Sequence, residues 1–155
     1  MSPGNTPASG SAFTIEPATW RDLNPLRELE KVCFPVDGWP LWDLIGVLTL
    51  PNVIRLKAIV EGGFVGFVAC EIRPSEQMAW VATIGVLPEY RDQGIGTALL
   101  EECERRLTVP RVRLCVRATN QGAIRLYNRI GYQRVGSWPD YYRNREEAVV
   151  MEKIL

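Results

Sequence analysis

The stretch EYRDQGIGTALL, residues 89–100, sets Gly94 and Gly96 at the entrance to a segment that otherwise reads as a helix. Glycine costs about 1 kcal/mol relative to alanine inside a helix, so two of them at one helix start call for a reason. A helix N-terminus carries unpaired N–H groups and roughly half a positive charge. Without a Cβ in the way, backbone there can approach a phosphate closely. Arg91, Gly94 and Gly96 therefore read as an anion cradle, or else as a glycine-rich strand-to-helix turn with no ligand. The spacing departs from the dinucleotide fingerprint, because the third glycine is absent, and no Walker lysine follows.

Working outward, MAWVATIGV (78–86) predicts a strand leading into this turn, and Ile95, Ala98, Leu99, Cys103 and Leu107 predict an amphipathic helix leaving it. Upstream, NVIRLKAIV and FVGFVACEI flank EGG and predict a hairpin. FTIEPA predicts a first strand. Thr19 is a cap for a helix through WRDLNPLRELEKVCF, with Pro25 in its first turns, and LWDLIGVLTL predicts a second helix after the break at PVDGWP. Downstream, RVRLCVR alternates, with Val112, Leu114 and Val116 on one face and Arg113 and Cys115 on the other. Asn120 caps a helix with Ala123, Ile124, Tyr127 and Ile130 on one stripe, and Gly131 ends it. YQRVGSW and EAVVMEKIL predict closing strands. The order βαα, three strands, α, β, α, ββ predicts one α/β domain. Both faces of the central strands are apolar, so helices are expected on both sides of the sheet.

The 155 residues suit a single domain. Residues 1–12 are rich in Gly, Pro and Ser and predict a disordered tail or leader, leaving 13–155 for the domain. Lys plus Arg equals Asp plus Glu at 18 each, which gives no support for general nucleic-acid or membrane binding. No apolar run is long enough to span a bilayer, and the N-terminus lacks a signal-peptide core. Cys33, Cys70, Cys103 and Cys115 are scattered without a CxxC, which predicts free thiols, a cytoplasmic protein and no metal site. The chain has no histidine, which removes Ser-His-Asp and Cys-His hydrolase mechanisms. Proton transfer must then use carboxylates, tyrosine, cysteine or water.

The pattern Arg91-x-x-Gly94-x-Gly96 after GVLPEY resembles motif A of the GNAT superfamily of acetyl-CoA-dependent N-acetyltransferases. NQGAIRLYNRIGY (120–132) is similar to that family's Asn-x-x-Ala-x-x-Leu-Tyr-x-x-x-Gly-Phe/Tyr segment. The resemblance implies a single GNAT-like domain with a mixed, mostly antiparallel sheet. It implies a CoA pyrophosphate on the backbone of Asp92, Gln93, Gly94, Ile95, Gly96 and Thr97, next to Arg91. It further implies pantetheine running as an added strand along Ile84, Gly85 and Val86, CoA contacts from Asn120, and Tyr127 as general acid near the CoA sulfur. CFPVDGWP, LCVRATN and DYYRNREEAVVMEKIL resemble segments of the protein N-terminal acetyltransferases, a group that includes the ribosomal-protein-alanine enzymes. By that likeness Phe34, Pro35, Val36, Tyr141 and Tyr142 would grip the first residues of a peptide.

The sequence departs from those relatives where they carry a base. The glutamate often found in the Leu-x-Val-Arg run is Cys115, and a tyrosine some relatives carry on the preceding strand is Trp80. Neutralising an α-amine at pH ~7.4 costs roughly 0.5 kcal/mol, against about 4 for lysine. A site without a strong base therefore suits an N-terminus, with ordered water taking the proton. Glu71, among apolar neighbours, is the carboxylate to examine; pairing with an arginine is its plainer reading. Two other functions remain open on the sequence: acetylation of a small amine or polyamine, and acyl-CoA binding without catalysis. A monomer or weak homodimer is expected.

Overall fold

The computed structural model describes residues 12–36 and 38–155; residues 1–11 of the predicted tail lie outside the described residues. Its elements are β1 (Thr14–Pro17), α1 (Leu23–Cys33), α2 (Leu41–Thr49), β2 (Val53–Val60), β3 (Gly63–Arg73), β4 (Met78–Val86), α3 (Ile95–Arg106), β5 (Arg111–Arg117), α4 (Gln121–Arg129), β6 (Gln133–Trp138) and β7 (Ala148–Ile154). Local chemistry sets their ends. Thr19 accepts from the Arg21 amide while Asp22 returns a bond to the Thr19 amide, a capping box ahead of α1. Glu61 and Gly62 both take positive φ, +48° and +80°, between β2 and β3. Such a two-residue turn matches the twist of a hairpin. The Asn120 side chain accepts from the Ala123 amide and starts α4. Gly131, at φ +107°, follows its last residues.

The strands form one sheet in the order β1-β2-β3-β4-β5-β7-β6. Every pairing is antiparallel except β4 with β5. α3 packs on one face, where Ile95, Leu99 and Cys103 meet Leu56, Ala58, Val68 and Cys70. α4 covers the neighbouring part of the same face, with Ile124 and Tyr127 against Leu114, Val149 and Met151. α1 and α2 take the opposite face over β2–β4, where Leu26, Leu44 and Leu48 meet Phe67 and Ala69.

Helices thus lie on both sides of the sheet, as expected. The α1–α2 layer nevertheless stops short of β5–β7. There the face carries ion pairs, such as Arg113 to Glu152 at 2.6 Å, and a stack of Trp80 on Trp138 with ring centres 5.7 Å apart. The alternation in RVRLCVR is borne out, since Arg113 and Cys115 are half-buried beside the buried Val112, Leu114 and Val116. The α3 stripe also differs in one respect: Leu100 is buried, while Ala98 is half-buried and Leu107 caps the helix end.

β3 approaches α3 closely at Gly66, where a Cβ would meet Leu99 Cδ1 at 3.1 Å and Ala58 Cβ at 3.3 Å. Gly66→Val should therefore lower stability by about 1–3 kcal/mol through overpacking. A reduced urea midpoint at unchanged slope is the expected readout.

Candidate active site

β4 and β5 pair only at Ala79↔Val112 and Trp80↔Arg113, then diverge. The cause can be followed in the backbone. β4 carries a bulge: Ala69 and Cys70 of β3 face Thr83 and Val81, leaving Ala82 as the extra residue. A bulge bends the strand that holds it. β5, in contrast, is held straight by β7 along its whole length, from Arg111↔Ile154 to Arg117↔Ala148. From Val81 onward the β5-facing edge of β4 has no strand partner among the described residues. Unpaired strand edges offer N–H and C=O groups to an extended ligand.

A cleft of about 750 Å³ opens between the two strands. Ile84, Asn120 and Tyr127 line it, together with Phe34, Pro35, Val36, Tyr141 and Tyr142. Residues separated by more than a hundred positions are thus brought to one cavity. Gly85, Val86 and the segment 91–97 are outside its lining; Gly85 and Val86 end β4, and 91–97 lead into α3.

The glycine turn is shaped by backbone conformation. Asp92 and Gly94 both lie at positive φ, +63° and +82°. A Cβ at Gly94 would meet nothing within 4 Å, so the turn faces open space. Gly96 lies against β4, its missing Cβ 3.8 Å from Val86 Cγ2. Ala98 donates to the Gly94 carbonyl at 2.9 Å; the amides ahead of it precede the helical ladder. Arg91 braces this corner. Its Nε donates to the Val86 carbonyl at 2.9 Å, and a terminal nitrogen lies 3.7 Å from Cys33 Sγ. The side-chain carbonyl of Gln93 is buried without a partner among the described residues.

The opposite rim is tied down by charge. Arg117, at the end of β5, donates to Glu146 and to Asn144, each at 2.8 Å, and sits 4.3 Å from the centre of the Tyr142 ring. Glu146 also accepts from the Thr119 amide and hydroxyl. These donors hold its carboxyl down at about 2. The loop bearing Tyr141 and Tyr142 is thereby fastened to β5. Tyr141 packs on both Trp138 and Tyr142.

Five groups in the cleft have altered acidity, Tyr141 among them, its hydroxyl raised by burial and by Cys115. Burial pushes the Tyr127 hydroxyl up to about 12, so it stays protonated through neutral pH. Burial also raises the Cys115 thiol to about 11, against a weaker pull from its hydrogen bond with Tyr141. Cys33 is raised by burial as well, its contact with Arg91 notwithstanding. Glu30 of α1, a residue the sequence did not single out, is raised by burial despite hydrogen bonds from Thr83 and Trp39. Its only sequence signal is an acidic residue at a helix position shared with the apolar Leu26 and Leu29. Glu71, the carboxylate marked for inspection, lies 3.1 Å from Arg73, which is its plainer reading. Among the described residues no three metal-ligand side chains come together, and no helix is long and apolar enough to cross a membrane.

The profile of the "Acetyltransferase (GNAT) family" matches residues 23–132. The N-alpha-acetyltransferase RimI of Mycobacterium tuberculosis is 36% identical over 141 residues, 88% of this chain and 88% of that protein. The crystal structure of the ribosomal-protein-S18-alanine N-acetyltransferase of Escherichia coli superposes with a TM-score of 0.82 at 27% identity, covering 92% of this chain and 94% of that one. The Arabidopsis thaliana NAA60 structure in complex with acetyl-CoA shares the fold, with a TM-score of 0.81 at 20% identity over 93% of this chain and 99% of that one.

The raised Cys115 thiol has a direct chemical consequence. At pH 8 its thiolate fraction is roughly two orders of magnitude below that of a free cysteine. Alkylation by iodoacetamide, followed at Cys115 by peptide mass spectrometry, should be slow at pH 8 and rise nearly tenfold per pH unit up to about pH 10.

Proposed function

We propose that this chain, which belongs to the GNAT acetyltransferase family, acetylates the α-amine of a protein or peptide N-terminus. It is an N-acetyltransferase, and acetyl-CoA is its acyl donor. The observation that carries the acceptor assignment is the shape of the cleft. Phe34, Pro35, Val36, Tyr141 and Tyr142 line one cleft with Ile84 of β4, whose β5-facing edge is unpaired there among the described residues. Two loops that flank a strand edge suit an extended chain entering end-on.

The residues fit the donor. The turn at Asp92–Thr97 presents backbone amides and a helix N-terminus, with open space before Gly94, as a pyrophosphate requires. The side chain of Arg91 keeps N–H groups beyond the one given to Val86. The free edge at Ile84–Val86 can pair with the two amides of pantetheine, and the Asn120 amide nitrogen is left over from its capping bond. Bound acetyl-CoA supplies a thioester whose carbonyl carbon accepts the amine and whose sulfur leaves. Backbone N–H groups near Ile84 polarise that carbonyl. Tyr127 would give its proton to the departing sulfur, and burial, which makes the hydroxyl a weaker acid, keeps it in the donor form throughout the working range. The first residues of the acceptor lie between the Phe-Pro and Tyr-Tyr loops. All four cysteines are free thiols, which suits a reducing compartment, and we assign the chain to the cytoplasm.

Three measurements follow. Acetyl-CoA at 100 times its Kd should stabilise the protein by about 2.7 kcal/mol, and Gly94→Glu should abolish the shift by setting bulk and negative charge against the pyrophosphate. An unchanged melting shift in that variant would move the donor elsewhere. Tyr127→Phe should bind acetyl-CoA normally and lose about 10²–10⁴-fold in turnover; equal turnover would leave the ring as packing alone. A peptide with a free N-terminus should be acetylated readily at pH ~7.4, where its amine is already partly neutral. The N-blocked peptide with an internal lysine should be far slower at pH ~7.4; the reverse preference overturns the acceptor assignment.

A further inference from the structure

We propose that Glu30 takes the proton from the incoming ammonium, by way of the Thr83 hydroxyl. Glu30 is 3% exposed, yet it lines the cleft. One oxygen accepts from the Trp39 amide at 3.4 Å, the other from Thr83 Oγ1 at 3.1 Å. Each oxygen retains a lone pair. No cation reaches the carboxylate among the described residues. A buried carboxylate without a counter-charge is costly, and an amide side chain would pin the same two donors without that cost. What the arrangement lacks is a positive group, and the acceptor arrives as one.

Thr83 makes the connection. It sits beside the β4 bulge, next to Ile84, and lines the same cleft. Its hydroxyl proton is already aimed at Glu30, so its oxygen lone pairs are left for an N–H donor. In the transfer, the ammonium passes a proton to Thr83 Oγ1 while the Thr83 proton moves to Glu30. The freed amine attacks the thioester carbonyl and the C–S bond breaks. The sulfur takes a proton from Tyr127, which regains one from the new amide nitrogen. Glu30 then releases its proton to solvent, so one proton leaves per acetyl group transferred. Desolvation of Glu30 makes it a stronger acceptor than an ordinary carboxylate. This places the acceptor on a different element from Cys115 and Trp80, neither of which is a base at neutral pH.

The inference rests on the N-terminal acetylation reading, and pH separates it from a purely structural role for Glu30. Glu30→Gln should cut kcat on a free-N-terminus peptide by about 100-fold at pH 7. The deficit should shrink below about tenfold at pH 9, where most of the amine is already neutral. The other groups facing the cleft hold their charge across this range. The Cys33, Cys115, Tyr127 and Tyr141 hydrogens are all held on by burial. Arg73 and Arg117 of the cleft keep guanidinium charges, Glu71 pairs with Arg73, and Arg27, Lys31 and Arg143 are the charged groups that share a second cavity with Glu30. The acetyl-CoA melting shift should be unchanged. Should Glu30→Gln fail to fold, Thr83→Val carries the test: it should show the same pH-dependent deficit, and Thr83→Ser should restore most of what is lost. A deficit constant from pH 7 to 9, or none, overturns the proposal. Acetylation of a polyamine in place of any α-amine would defeat the N-terminal reading separately, and the same pH comparison on that amine would still judge Glu30.

Discussion

Two residue pairs join β4 to β5, and the rest of the molecule depends on their being so few. A parallel pair of this length would ordinarily zip along the sheet. Here the bulge at Ala82 bends β4 away while seven register pairs with β7 fix β5. Both ends of the opening are braced. Arg91 and the Cys33 thiol bond to the Val86 carbonyl at the tip of β4. Arg117 and Glu146 bond at the tip of β5. The sheet gives up ladder hydrogen bonds worth about 1 kcal/mol each, and a strand edge is left for a ligand to complete. The glycine turn continues from that edge, so strand and helix N-terminus face one another across one path. On the proposed reading, two glycines are tolerated where α3 begins because a pyrophosphate lies against them.

The same opening decides the chemistry available. No histidine exists to serve as base, and the thiol and phenol groups in the cleft are driven toward their neutral forms by burial. Such a site can supply protons to a leaving group readily but removes them poorly. An α-amine, which needs roughly 0.5 kcal/mol to lose its proton near pH 7.4, is within its range; a lysine, at about 4 kcal/mol, is not. A buried carboxylate close to the amine's path supplies the remaining driving force on this account. Acceptor choice is then as much a matter of proton affinity as of the shape of the peptide slot.

Most of the architecture was legible because it is written in local pattern. MAWVATIGV and RVRLCVR mark β4 and β5 to the residue, and Thr19, Asn120 and Gly131 mark helix ends through bonds to near neighbours. The candidate site residues belong to short motifs whose members lie close in sequence. What escaped was long-range. Glu30 reads as one more charged residue between Glu28 and Lys31 until α1 is docked on β4, which turns it inward to meet Thr83. Trp80 meets Trp138 although β5 and β7 lie between their strands in the sheet. The Arg in LCVRATN shows its purpose only when Glu146 arrives from a loop near the chain's end. The bare outer face of β5 was visible in the alternation, but which groups would cover it was not.

The central claim is that the open edge of β4 and the turn that follows form the acetyl-CoA path. Amide hydrogen exchange on the whole protein, with and without acetyl-CoA, tests it most directly. Protection confined to residues 81–86 and 92–98, together with the start of α4, is the predicted result. Stabilisation elsewhere with exchange at 81–98 unchanged would contradict the account.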